Sequence, residues 1–96
     1  GGAAADPTVP EARRLYDQGI TYLYTAVWIE AARALHQALR LDPSLAAAQA
    51  ALSVVYTAMH RPEEARAALA AAERLAATAV GADRRRVDLR VRQSAV

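Results

Sequence analysis

The residues able to do chemistry in this 96-residue chain are few and scattered. His36 and His60 are the only histidines, and there is no cysteine. A zinc or copper centre needs three or four converging nitrogen, sulfur or carboxylate ligands. One histidine in mid-helix and one in a turn do not assemble such a set, so they read as a surface histidine and a turn histidine. Ser44, Ser53 and Ser94 have neither a glycine elbow nor a paired base beside them, as a nucleophilic serine requires. The Gly1-Gly2 start precedes no strand, so it is not a phosphate loop. Glu63-Glu64 follows a proline, where two carboxylates complement the positive end of a helix dipole. The expectation is a protein with no catalytic residues, no metal and no cofactor.

The elements that carry these residues repeat. Glu30-Ala31-Ala32-Arg33-Ala34-Leu35-His36-Gln37-Ala38-Leu39-Arg40-Leu41 returns thirty-four positions later as Glu64-Ala65-Arg66-Ala67-Ala68-Leu69-Ala70-Ala71-Ala72-Glu73-Arg74-Leu75. Aligned without gaps, residues 12–45 and 46–79 share nine identities, among them Tyr22/Tyr56, Glu30/Glu64, Leu35/Leu69 and Arg40/Arg74. A fixed period of this length makes a chain a stack of like units. Small residues at Gly19, Ala31 and Ala38, and again at Ser53, Ala65 and Ala72, allow two antiparallel helices to approach closely, with Leu15, Tyr22, Tyr56, Leu35 and Leu69 filling the space beside them. Each copy therefore reads as a helical hairpin.

Boundary signals agree with the period. Thr8-x-x-Glu11 has the form of a capping box with Pro10 in the first turn. Asp42-Pro43 ends a helix, because a residue before proline avoids the helical region. Pro62 opens another, and Gly81 is a suitable stop. Helices are expected near 9–25, 27–41, 44–59 and 62–79.

The order of a large apolar residue, small-x-x-Tyr, Ala-x-x-x-Leu-x-x-Ala and Leu-Asp-Pro resembles the tetratricopeptide repeat (TPR). The first copy shows it as Leu15, Gly19, Tyr22, Trp28, Ala31, Leu35, Ala38 and Leu41-Asp42-Pro43. The second shows it as Leu52-Ser53, Tyr56, Ala65, Leu69, Ala72 and Leu75, departing with Gln49, His60-Arg61-Pro62 and Ala76-Ala77. The resemblance covers about residues 11–79 and implies an all-α solenoid of two hairpins. It also implies a concave face lined by Arg13, Tyr16, Asp17, Ile20, Leu23 and Tyr24 from copy one and by Ala47, Ala50, Val54, Thr57 and Ala58 from copy two. Tyr16, Ile20, Ala50 and Val54 stand where the family's best-known clamp for a peptide carboxylate has Lys, Arg and Asn, so the implied groove is apolar and aromatic.

Composition is that of a thin-cored globular chain: 54% hydrophobic but rich in alanine, with ten Leu, four Tyr, one Trp and no Phe. Without cysteine there are no disulfides, and without Asn there is no N-glycosylation acceptor. Every helix is interrupted by Arg or Glu well short of the ~20 apolar residues of a membrane span. Two repeats are fewer than the roughly three that usually stand alone.

Charge divides unevenly: residues 1–79 carry seven Arg against eight carboxylates, and residues 80–96 carry five Arg against two Asp. Asp88 lies four residues from both Arg84 and Arg92, the spacing of solvated helix pairs, so a nucleic-acid surface is the less favoured reading. Val87, Val91 and Ala95 would form one apolar stripe of a helix; Val87, Leu89 and Val91 would instead alternate on a strand. A fifth, capping helix is favoured, because a solenoid needs its last hairpin covered. Gly1–Pro7 reads as a flexible segment, either the start of an exported chain or an artificial addition, with Thr8 a candidate for modification. The all-arginine basic set suggests a GC-rich bacterial coding origin.

Binding to protein is what remains. The expectation is a non-catalytic scaffold that self-associates into a homo-oligomer or head-to-tail fibre, through end faces carrying Leu15 and Tyr22 on one side and Val80, Val87 and Val91 on the other. The alternatives are a monomeric adaptor for an apolar segment of another protein, or part of a longer TPR protein. No small-molecule substrate is indicated.

Overall fold

A computed structural model describes the backbone of residues 9–94 and the side chains through residue 79. The segment 1–8, including Thr8 and the candidate capping box, and residues 95–96 lie outside the described residues, as do the side chains of Val80, Val87 and Val91. Four helices follow one another: α1 Pro10–Tyr24, α2 Trp28–Leu41, α3 Ala46–Ala58 and α4 Pro62–Ser94. There is no strand among the described residues. α1 packs against α2, α3 against α4, α2 against α3, and α1 lightly against α3.

Local chemistry explains most of the boundaries. Pro10 and Pro62 sit in first turns, where the missing N–H costs no helical bond. α2 ends at Asp42, whose backbone is extended (φ -140°, ψ 89°), as a residue before proline must be. The Asp42 carboxylate then accepts bonds from the Ser44 N–H (3.1 Å) and Ser44 Oγ (2.6 Å), an Asx turn that leads the chain into α3.

The two hairpin turns are the same turn thirty-four residues apart. Ala26 and His60 have positive φ, 60° and 61°. The Val27 N–H donates to the Tyr22 carbonyl and the Arg61 N–H to that of Tyr56, both at 2.9 Å. The Ala26 N–H donates to the Leu23 carbonyl and that of His60 to Thr57, both at 3.1 Å. These paired bonds are the Schellman ending, in which one left-handed residue lets its own N–H and that of the next residue satisfy carbonyls of the last turn.

One boundary is corrected. α4 does not stop at Gly81 but continues to Ser94, and no separate fifth helix occurs among the described residues. The stop in copy one is Asp42-Pro43, and copy two has Ala76-Ala77 there, two strong helix formers. A lone glycine costs a helix only about 1 kcal/mol relative to alanine, which does not end a run of Ala, Arg and Leu. At about 1.5 Å per residue, such a helix reaches about 50 Å. That accounts for the longest dimension of 56 Å and for a radius of gyration of 16.2 Å. A compact chain of this length would have a radius of gyration of about 13 Å.

The core is small and built mainly of alanine. Ala12, Ala31, Ala38 and Ala48 have no exposure, and Leu35, Leu52 and Val55 are the largest fully buried side chains. Leu15, Tyr16, Ile20, Tyr22, Leu23 and Trp28 pack against this cluster from its edges. A Cβ on Gly19 would lie 2.8 Å from Leu35 Cγ and 2.9 Å from its Cδ2. The contact that glycine permits is therefore with the largest buried residue of α2.

Candidate interaction surfaces

The residues expected on the partner-binding groove divide between surface and core. On α1, Arg13, Tyr16, Asp17, Ile20 and Tyr24 follow one face at three- and four-residue spacing. Arg13 Nε lies 3.5 Å from Asp17 Oδ1, and its guanidinium carbon is 5.5 Å from the Tyr16 ring centre, so the cation is engaged within the face. Tyr24 is 82% exposed, whereas Tyr16, Ile20 and Leu23 are half-buried against the core. On α3, Ala47, Ala50, Val54 and Thr57 line the equivalent face; Val54 is 52% exposed and Ala58 is half-buried. The freely available large apolar groups of this surface are Tyr24 and Val54.

Of the residues expected to pack the repeats, Gly19, Ala31, Leu35, Ala38, Ala65 and Ala72 are buried and Tyr22, Ser53 and Tyr56 are half-buried. Leu69 is a correction. It is 47% exposed, while Leu35, its counterpart thirty-four residues earlier, is fully covered. No described helix lies on α4 as α3 lies on α2.

An open cavity of about 600 Å³ occupies that position, lined by Ser53, Thr57, His60, Pro62, Ala65, Arg66 and Leu69. The residues thirty-four positions earlier are Gly19, Leu23, Ala26, Trp28, Ala31, Ala32 and Leu35, an entirely apolar set in which Gly19, Ala31 and Leu35 are buried, Leu23, Trp28 and Ala32 half-buried and Ala26 exposed. The terminal face is thus the internal one with a polar rim of Thr57, His60 and Arg66. Arg66 forms no ion pair among the described residues; Arg13, Arg14, Arg33 and Arg61 do.

The opposite end of the molecule is different. The residues by which α3 enters the core are Leu45, Ala48, Ala51, Leu52 and Val55. Their counterparts on α1 are Glu11, Arg14, Asp17, Gln18 and Thr21, all exposed. Arg14 binds Glu11 through two nitrogens, Nε at 2.8 Å. This bond holds the Glu11 carboxyl below its ordinary range. These five positions are polar and exposed on α1 where their α3 counterparts are apolar and buried. Leu15 and Tyr22, expected to form an open end face, pack against the core instead.

One polar contact between the hairpins had no signal in the periodicity. His36 Nε2 lies 2.7 Å from Tyr56 Oη, the rings tilted by 51° with centres 6.2 Å apart. Burial, with the nearby Glu64 carboxylate, pushes the Tyr56 hydroxyl above the ordinary phenol range, and Arg61 partly opposes it. A smaller cavity of about 310 Å³ runs beside this pair, lined by Gln49, Leu52, Glu64 and Ala68 among others. No group of three or more His, Cys, Asp or Glu residues placed to hold a metal occurs among the described residues. No described helix is long and apolar enough to cross a membrane.

In comparisons with known proteins, no family model, curated protein or solved structure matches the chain.

Proposed function

We propose that this chain is a non-catalytic protein–protein interaction module built from two TPR-like hairpins. The observation that carries the reading is the recurrence of the whole hairpin, turn hydrogen bonds included, at a spacing of thirty-four residues. Such stacks expose extended helical faces instead of enclosed reaction sites. Tyr24 and Val54, left exposed on α1 and α3, are the apolar anchors for a partner segment, and Arg13 and Asp17 flank them with charge.

The test is selection from an unbiased displayed-peptide library against the immobilised chain. Apolar segments are expected, and Tyr24→Ala with Val54→Ser should weaken them by about 2 kcal/mol or more, as central anchors do. Both residues are exposed, so helical content by circular dichroism should hold. Absence of enrichment, or binding that survives the double change, refutes this surface.

Self-association is the second reading, favoured by the exposed Tyr24, Ile29, Val54 and Leu69. An open head-to-tail fibre would set α1 of one copy against α4 of the next. The polar row Glu11, Arg14, Asp17, Gln18 and Thr21 opposes that arrangement, since it would bury charges against Leu69 and Ala65. Sedimentation velocity over a wide concentration range decides the matter: a constant monomer mass removes self-association, and growing polydispersity restores the fibre.

A further inference from the structure

The cavity between α3 and α4 is lined by Ser53, Ala65 and Leu69, whose counterparts Gly19, Ala31 and Leu35 are buried in the first hairpin, where α3 packs against α2. The chemistry that fits it is therefore visible in the molecule: Leu45, Ala48, Ala51, Leu52 and Val55 on one side of a short helix, all buried. Small residues let the backbones approach, and Leu and Val fill the gaps. In the second hairpin α4 stays helical from Pro62 to Ser94, so no described segment turns back over Ala65 and Leu69.

We propose that this cavity is a docking site for an amphipathic helix of a different protein. Its buried side would carry alanine and branched aliphatic residues in the α3 pattern, with a carboxylate at the edge that meets Arg66. The inference rests on the interaction-module reading but concerns a cavity that neither Tyr24 nor Val54 lines. Three observations select this occupant. Leu69 is half exposed where its counterpart Leu35 is covered. Arg66, on the rim in place of Ala32, lacks an ion pair among the described residues and adds a positive charge to meet an acidic edge. The chain's own α1 cannot serve from a second copy, because charged and polar residues stand at the five positions that would enter the cavity.

The probe is a peptide of this chain's own residues 44–60, cross-linked between positions 50 and 54 to hold it helical. Both positions are exposed in α3, so the link leaves the buried side free. A peptide of residues 8–25 serves as control. With the intact isotope-labelled chain, the first peptide should shift the amide signals of Ser53, Thr57, Ala65 and Leu69, and the control should not. Leu69→Arg should weaken binding by about tenfold or more, as loss of a central apolar contact does, and a Glu placed at the peptide's edge should strengthen it only when Arg66 is present. Tyr24→Ala should leave binding unchanged.

Absence of shifts at those four residues, equal binding by the control, or loss of binding in Tyr24→Ala would each overturn the docking site. A concentration-dependent dimer abolished by Leu69→Arg would assign the cavity to a second copy and overturn the proposed occupant. Failure here with retention of Tyr24-dependent binding leaves the broader module reading standing, and the reverse outcome removes that reading's surface alone.

Discussion

Leu35→Ala and Leu69→Ala delete the same three carbons at equivalent positions of two equivalent helices. The intrinsic gain in helix propensity is the same small amount at both sites and cancels in the comparison. What remains is burial. Leu35 has no exposure and touches the place where Gly19 lacks a side chain, so its loss leaves a cavity among Gly19, Ala31 and Leu52 that rigid helices cannot close. Such deletions cost about 2–5 kcal/mol. Leu69 is 47% exposed on an open face where solvent fills the vacated space. Without a cavity, and with about half the transfer free energy of a Leu side chain, its loss should cost about 1 kcal/mol or less. In a domain of this size about 1 kcal/mol moves the melting temperature by roughly 4–8 °C, so the two variants should separate by several degrees or more. Thermal and urea unfolding followed by circular dichroism measure both. Equal losses, or a larger one at Leu69, would show that the second hairpin is covered as the first is, and the terminal cavity would have to be abandoned.

Three further outcomes follow from the packing. Gly19→Ala should destabilise despite alanine's better helix propensity of about 1 kcal/mol, because Leu35 must leave its place and overpacking costs about 1–3 kcal/mol. Ser53→Ala, at the equivalent site, should be neutral or mildly stabilising in the same thermal unfolding assay, and a stable Gly19→Ala protein contradicts the close contact. Ala26→Gly and His60→Gly should each raise stability by up to about 1 kcal/mol in urea titrations by relieving a left-handed conformation; destabilisation at both would mean that the turns are not held as described. Tyr56 is neutral at ordinary pH, and its pKa is raised in the folded state. It therefore contributes stability in full below about pH 10, the ordinary phenol value, and loses it as the pH rises through the folded value. Tyr56→Phe should flatten the alkaline limb of the stability curve and cost about 1 kcal/mol at neutral pH through the lost bond to His36; an unchanged alkaline limb refutes the burial effect.

The sequence by itself determined the number of turns and their places up to Pro62. The period of thirty-four, Pro10, Asp42-Pro43 and Pro62 act through backbone sterics and local hydrogen bonds, which need no knowledge of distant residues. It also determined that Gly19, Ala31, Ala38, Ala65 and Ala72 are contact positions, since spacing along a helix sets which residues share a face. The continuity of α4 was legible in principle, as the loss of Asp-Pro at Ala76-Ala77 outweighs one glycine. The left-handed turns were not, because Ala26 and His60 are neither Gly nor Asn, and only the packing of the two helices they join forces that conformation. Tertiary structure alone decided that Leu35 is covered and Leu69 is not, because identical residues at identical repeat positions differ in whether a described helix packs over them. It alone brought His36 to Tyr56 across twenty residues, and it set a polar row on α1 and a half-open cavity on α4 at opposite ends of one repeating pattern. Periodicity specifies what each hairpin can bury; which face is buried depends on the neighbour that arrives.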